Sequence, residues 1–219
     1  MAKVVIFGLG QFAELAYYFI NSDSKHEVIA FTVDGEYLSK KKFFGHPVVE
    51  FSRISELYPP QTCKLFIPIS YKKLNKIREE KYLVAKKQGY KFINVISSKA
   101  LIYNSKIGEN CFIFENNIIQ PFSKIGNNCI IWSGNHIGHH SVIEDHCFIS
   151  SQVVISGNSV IGKYSFLGVN STIRDNIKIG TQNIIGAGSL ILKNTKPKSV
   201  FSPKGTEVSR VPSDKIKII

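Results

Sequence analysis

The chain has 219 residues, is 43% hydrophobic, and carries a formal net charge of +12 with four cysteines. No apolar run approaches the roughly 20 residues of a membrane-spanning helix, and few cysteines behind a start with no secretory leader point to a reducing, cytoplasmic setting without disulfides. The lysines are spread over both halves, without an arginine-rich tract or interleaved aromatics, which argues against nucleic acid and for small phosphorylated ligands or simply a lysine-rich proteome.

Lys3 to Phe7 reads as a first strand, followed by Gly8-Leu9-Gly10-Gln11-Phe12-Ala13 and a helical stretch from Glu14 to Ile20. A second strand, Val28 to Val33, ends at Asp34. A third, Lys64 to Ile69, follows Pro59-Pro60. Then come an amphipathic helix from about Tyr71 to Lys87 and a fourth strand around Phe92 to Ile96. Strands alternating with helices predict a parallel sheet with crossover helices. The Gly8-x-Gly10-x-x-Ala13 run, set between strand and helix, is either a tight turn or a cradle of backbone amides for phosphate. A dinucleotide needs two mononucleotide-binding halves, and this stretch is long enough for one. A single nucleotide fits better, with Gly8, Gly10 and Gln11 near the diphosphate or ribose, Asp34 near the base or ribose, and Ser70-Tyr71 opposite.

From residue 101 the texture changes. Leu101, Ile107, Ile113, Ile119, Ile125, Ile131, Ile137, Ile143, Ile149, Ile155, Ile161, Leu167, Ile173, Ile179, Ile185 and Ile191 recur every six residues without interruption. A six-residue period fits neither an α-helix nor one long strand; it predicts a parallel β-helix of about five triangular coils with the aliphatics inside. Compact residues two positions earlier, including Cys111, Cys129 and Cys147, read as core. Glycine often follows the aliphatic, as at Gly108, Gly126 and Gly138, and is read as a corner residue that tolerates unusual backbone angles.

Four of the six histidines, His136, His139, His140 and His146, fall within eleven residues, at positions the comb places outside the prism. Metal ligation is disfavoured because His139 and His140 should diverge and no thiolate accompanies them. Solvent-exposed decoration is a second reading, and general acid–base chemistry near neutral pH is the favoured one. Beyond Lys193 a Pro- and Lys-rich tail is expected to cap the open coil.

The comb together with Asn135-His136-Ile137-Gly138-His139-His140 resembles the hexapeptide-repeat acyltransferases. With the small front domain, nearly the whole chain is similar to the bacterial nucleotide-sugar N-acetyltransferases and the sialic acid O-acetyltransferase-like branch. The resemblance implies an α/β Rossmann-like half domain over 1–98, a left-handed parallel β-helix over 99–193 and a capping tail over 194–219. It also implies a homotrimer with acetyl-CoA between adjacent β-helices, acting on the amino group of a nucleotide-linked amino-dideoxy sugar, as in lipopolysaccharide O-antigen biosynthesis. In bacillosamine-pathway relatives the base lies two residues after a comb aliphatic, which matches His139. The next residue, acidic there, is His140 here, with Glu144 or Asp145 as substitutes. A second departure is Gln152, where a histidine is expected. The amine is expected to attack the thioester directly, with Gly157 or Gly168 offering an oxyanion amide. Gly168, Gly186, Ala187 and Gly188 are expected to leave room for the pantetheine arm, and Lys193, Lys196 or Lys204 to meet the CoA phosphates. An O-acetyltransferase and a non-catalytic trimeric scaffold are the alternatives.

Overall fold

In the computed structural model, which describes residues 1–216, the first apolar run forms β1 (Lys3–Phe7). It is buried from Val4 onward, hence its continuous hydrophobicity. α1 (Gln11–Asp23) and β2 (Glu27–Val33) follow. β3 (Lys42–Phe43) and β4 (His46–Glu50) form a hairpin that the sequence reading missed. Its two-residue turn is Phe44-Gly45, with φ of 47° and 80°, a conformation usually signalled by Asn-Gly. After the single turn of α2 (Ile54–Leu57), β5 (Lys64–Phe66) completes a sheet of order β3-β4-β2-β1-β5, in which only the β3–β4 pair is antiparallel.

Two expected elements shift. The charged helix, α3, spans Lys76–Lys87 and does not start at Tyr71, because Lys73, Leu74 and Asn75 are all left-handed (φ 51°, 52° and 62°). The expected fourth strand divides. Phe92 makes one parallel bridge with Leu65, whereas Val95–Ile96 pairs with Phe112–Ile113 as the first rung of the β-helix.

From there two-residue strands stack into three parallel walls of a left-handed β-helix. Wall I holds 101–102, 118–119, 136–137, 154–155, 172–173 and 190–191; wall II holds 106–107, 124–125, 142–143, 160–161 and 178–179. Wall III holds 95–96, 112–113, 130–131, 148–149, 166–167, 184–185 and finally 200–201. The comb residues from Ile113 to Ile185 line the axis almost without exposure, and Cys111, Cys129 and Cys147 are buried free thiols among them. Leu101 is the exception. It is exposed, and Ile102 takes the inward place opposite Ile119, so the first coil is one residue short and the comb slips phase between 102 and 107.

The corner glycines have a different cause from the expected one. Gly108, Gly126 and Gly138 are not among the residues with positive φ; the left-handed residue lies three positions before the comb aliphatic, at Asn110, Asn128, His140, His146 and Asn158, for example. Asparagine, which tolerates this conformation best among residues with a Cβ, recurs there. The glycines answer to space instead. A Cβ on Gly138 would lie 2.5 Å from the Gly157 nitrogen, and one on Gly162 2.7 Å from the Thr181 nitrogen, both on the next coil.

The front sheet docks on wall III, whose outward residues Phe112, Ile130 and Phe148 are buried beneath it. Phe19 and Phe66 meet Phe112 edge-on, at 5.8 and 5.4 Å between ring centres, and Phe12 reaches Phe148 and Trp132. At the far end Val200–Phe201 pairs with Ile184–Ile185, and Phe201 packs over the axial core as a last rung. The tail assignment also takes in residues 217–219, which lie outside the described residues. Among the described residues no helix is long and apolar enough to cross a membrane.

Replacing the axial Ile149 with Ala is expected to lower stability by about 2–5 kcal/mol, the range for a truncated core aliphatic. Lys163→Ala, which removes a half-exposed partner of Asp145, is expected to cost under about 1 kcal/mol. Chemical denaturation of the two variants checks this, and equal losses would contradict the inward assignment.

Candidate active site

Two places gather the polar residues. The first is a 560 Å³ cleft at the carboxyl end of the front sheet, lined by Gly8, Gly10, Gln11, Asp34, Ser70 and Lys72 over an apolar floor that includes Phe12 and Ile77. Gly8 sits at φ 113° where the chain leaves β1, its amide bonded to the Thr32 carbonyl (2.8 Å). α1 then starts at Gly10 without a side-chain cap, which leaves the helix N-terminus facing the cleft as an anion-favouring end. Asp34 is held by the Lys81 ammonium at 2.9 Å. Burial opposes the charge on Lys81, but the bond to Asp34 and the fields of Asp34 and Glu80 keep it above its ordinary value. Tyr71 is not in the cleft. Its ring packs against Phe148 and Phe166 on wall III, at 4.9 and 5.1 Å.

The second place is the edge between walls I and II. His139 and His140 are exposed there, with their Nδ1 atoms 3.1 Å apart, and the His139 amide donates to Gln120 Oε1 (3.0 Å). The imidazole of His139 lies over Gly157, where an added Cβ would come within 2.8 Å of Cε1 and Nε2. Glycine at 157 therefore makes room for the ring. Residues 139, 157, 175 and 193 succeed one another on this edge at 18-residue intervals, so Lys193 stands three coils, roughly 14 Å, along the axis from His139.

Other candidates fall elsewhere. Glu144 is on the edge between walls II and III, where its carboxylate accepts the Lys163 amide (2.9 Å); Asp145 there accepts the Asn127 amide (2.8 Å). Neither is bonded to His139, because residues five or six apart in a β-helix sit on successive edges. Gly168, Gly186 and Ala187 are on the third edge, between walls III and I. A Cβ on Gly168 would lie 2.6 Å from the Ala187 nitrogen, and one on Gly186 2.7 Å from the Phe201 carbonyl, so both glycines serve coil stacking. Gln152 is exposed on that same edge, and Lys196 and Lys204 are exposed beyond the last full coil.

His146 is the main reversal. It was expected outside the prism, and it is outside the axial core, but the docked front domain buries it. Its Nδ1 meets Asn128 Nδ2 at 2.9 Å, its Nε2 lies 3.4 Å from Glu79, and its ring stacks on Tyr164 at 5.1 Å. Asn75 donates to its carbonyl (2.7 Å). Beside it Arg78, fully buried, donates to the carbonyls of Ile67 (2.8 Å), Asn128 (3.1 Å) and Asn110 (2.6 Å). The sequence signal for this seam was present: Asn110, Asn128, His146 and Tyr164 are spaced by 18, as are the outward Phe112, Ile130, Phe148 and Phe166. Among the described residues no group of three or more His, Cys, Asp or Glu is arranged to hold a metal ion.

The chain thus joins an α/β front domain with a glycine-rich cleft to a left-handed parallel β-helix of six-residue repeats with an exposed histidine edge. In agreement, residues 104–139, 122–157 and 158–193 match the family described as bacterial transferase hexapeptide (six repeats). No curated protein sequence matches the chain significantly. Among solved structures, it is similar to a histidine-to-asparagine variant of perosamine N-acetyltransferase from Caulobacter crescentus in complex with CoA and GDP-perosamine. That likeness has a TM-score of 0.81 at 22% identity and covers 91% of this chain and 93% of that one. The acetyltransferase domain of PglB from Neisseria gonorrhoeae, in complex with acetyl coenzyme A, gives 0.78 at 18% identity over 91% and 95%. WeeI from Acinetobacter baumannii gives 0.76 at 21% over 91% and 96%. At these identities the likeness is one of fold.

The seam carries a pH prediction. Burial is the largest influence on His146 and holds it below its ordinary 6.5, against the opposing pull of Glu79 and Asp145. The unfolded chain therefore binds the proton more readily, so stability is lost as pH falls through about 6.5 and below. The opening free energy of α3, taken from amide exchange after division by the intrinsic pH-dependent rate, is expected to fall over that range, and to do so less in His146→Gln. An identical pH response in the variant would assign the effect to other groups.

Proposed function

We propose that the chain is an acetyl-CoA-dependent N-acetyltransferase that acylates the amino group of a nucleotide-linked amino-dideoxy sugar, with His139 as the base. The observation that carries the reading is the exposed imidazole of His139, seated over Gly157 on an edge that leads to Lys193. The whole-chain likeness of fold to proteins captured with CoA and GDP-perosamine, or with acetyl coenzyme A, supports the choice of co-substrates.

In this reading the nucleotide diphosphate lies at the start of α1, near Gly8, Gly10 and Gln11, with Asp34 and Ser70 on the walls. The sugar amine attacks the thioester carbonyl, a C–N bond forms, and the C–S bond breaks. Nε2 of His139 takes the ammonium proton, and the departing CoA thiolate is protonated in turn. No acyl-enzyme is needed. Cys147, the nearest thiol in sequence, is buried in the axial core.

A chain cannot bring its own cleft to its own His139. The front domain covers wall III, and the edge between walls I and II is the one farthest from that wall. The site is therefore completed by a second copy, and the arrangement is a homotrimer with its grooves between chains. Wall I supports this, since it leaves Leu101, Ile118, Val154 and Leu190 exposed by 52, 38, 38 and 61%. An uncovered face of this kind, four aliphatics with His136 and Thr172 between them, suits an interface.

His139→Ala is expected to lower kcat by about 10²–10⁴-fold, the usual worth of a general base, while calorimetry finds acetyl-CoA binding retained. His136→Ala and His146→Ala are expected to cost far less in turnover. Retention of full activity by His139→Ala would remove the base assignment. In a thermal-shift panel, one of UDP, GDP or dTDP is expected to raise the melting temperature and NADH to leave it unchanged. Sedimentation is expected to find a trimer, and an active monomer would overturn the shared site.

A further inference from the structure

His139 and His140 make a contact that only one distribution of protons satisfies in a catalytically open form. Their Nδ1 atoms are 3.1 Å apart and their rings nearly perpendicular, at 85°. Two identical ring nitrogens can share a hydrogen bond only if one carries the hydrogen and the other the lone pair. We propose that His140 is a positioning residue: as a neutral imidazole protonated on Nε2, it accepts a hydrogen bond from Nδ1–H of His139 and so leaves His139 Nε2 as the free lone pair above Gly157. The proposal rests on the reading of His139 as the base.

Both residues also make contacts outside the pair. The His139 amide is held by Gln120, and its ring occupies the space that glycine at 157 leaves open. His140 takes the left-handed corner position (φ 59°), its amide donates to the Pro121 carbonyl (3.2 Å), and its ring lies 4.9 Å from that of Phe122. The flanking coils present Gln120, Pro121 and Phe122 on one side and Ser156, Gly157 and Asn158 on the other, and none of these titrates. His136, on wall I of the same coil, has no hydrogen bond to the pair, and Arg174 and Asp175 stand two coils away. The histidines are thus each other's principal electrostatic partners within the chain.

Proton bookkeeping then distinguishes this pair from a histidine oriented by a carboxylate. When His139 Nε2 takes the ammonium proton, the resulting imidazolium still donates to a neutral acceptor, so the contact survives the transfer. A second proton must go to His140 Nδ1, which destroys the bond and sets two cations side by side. A carboxylate partner would favour the imidazolium and push the acidic limb of activity upward. A neutral imidazole orients the base without placing a negative charge beside it.

Long-range proton–nitrogen correlation spectra of the selectively labelled full-length protein, at mildly alkaline pH and without substrates, test the tautomers directly. The expected result is His139 protonated on Nδ1 and His140 on Nε2; finding His139 protonated chiefly on Nε2 overturns the proposal, whatever the reaction is. In turnover, His140→Leu is expected to lower kcat by about 10²-fold, the lower end of base catalysis, with KM for acetyl-CoA nearly unchanged. His140→Asn, which keeps an acceptor, is expected to recover much of that loss. His140→Glu is expected to move the acidic limb up by about one pH unit, the direction a neighbouring negative charge dictates. A His140→Leu enzyme within twofold of wild type, with an unmoved limb, also overturns it. Absence of acetyl transfer by the wild type would fail the reaction assignment alone, since the spectra still decide the proton positions.

Discussion

Arg78 is the buried guanidinium on which the placement of the two domains depends. It has no carboxylate among its hydrogen-bond partners; its planar fork is satisfied by three backbone carbonyls, one from the exit of β5 and two from consecutive coils of the β-helix. Asn110 completes the joint by accepting the Ile67 amide (2.9 Å). Burial draws the guanidinium down to about 10, which leaves it charged at neutral pH. A buried charge of this sort tolerates little displacement, because each lost bond leaves an unpaired carbonyl and a less solvated cation. The segment it grips runs into Pro68–Ser70, one wall of the nucleotide cleft. The cleft is thus positioned by the β-helix as much as by its own sheet.

Around that joint the two halves follow different stabilising logics. The β-helix repeats one solution at every coil: an aliphatic inward, a compact residue beside it, a left-handed corner and a glycine where the next coil presses close. The front domain relies on aromatic packing, with Phe12, Phe19, Phe66 and Tyr71 all set against wall III. Docking consumes that wall and leaves the opposite edge, with His139, facing outward.

The fold was largely legible because an inward aliphatic every six residues is a physical requirement of the coil, and the chain meets it without a break from Ile107 to Ile191. The phase slip at Leu101 was hidden because Leu101 and Ile102 are both aliphatic. The seam was hidden because its residues announce nothing singly. Arg78 reads as one more charge on a charged helix, and His146 as one more outward histidine, until the other domain covers them. Glu144 misled for a related reason: nearness in sequence to His139 is not nearness in space when every sixth residue turns a corner. The outward place of His139 was legible through its phase, whereas the ring's seat on Gly157 needed the neighbouring coil.

The edge that carries His139 is also a graduated scale. Each coil advances the column by one strand spacing of about 4.8 Å and, within the β-helix, makes its contacts with the coils directly above and below. Excising the 18 residues between two equivalent corners beyond Gly157 would rejoin like walls to like and preserve the axial core. It would also bring Lys193 one graduation nearer to His139. In such a scaffold, reach along the edge is set in whole coils, and a change in the length of an extended ligand can be matched by coil number without redrawing the chemistry at either end.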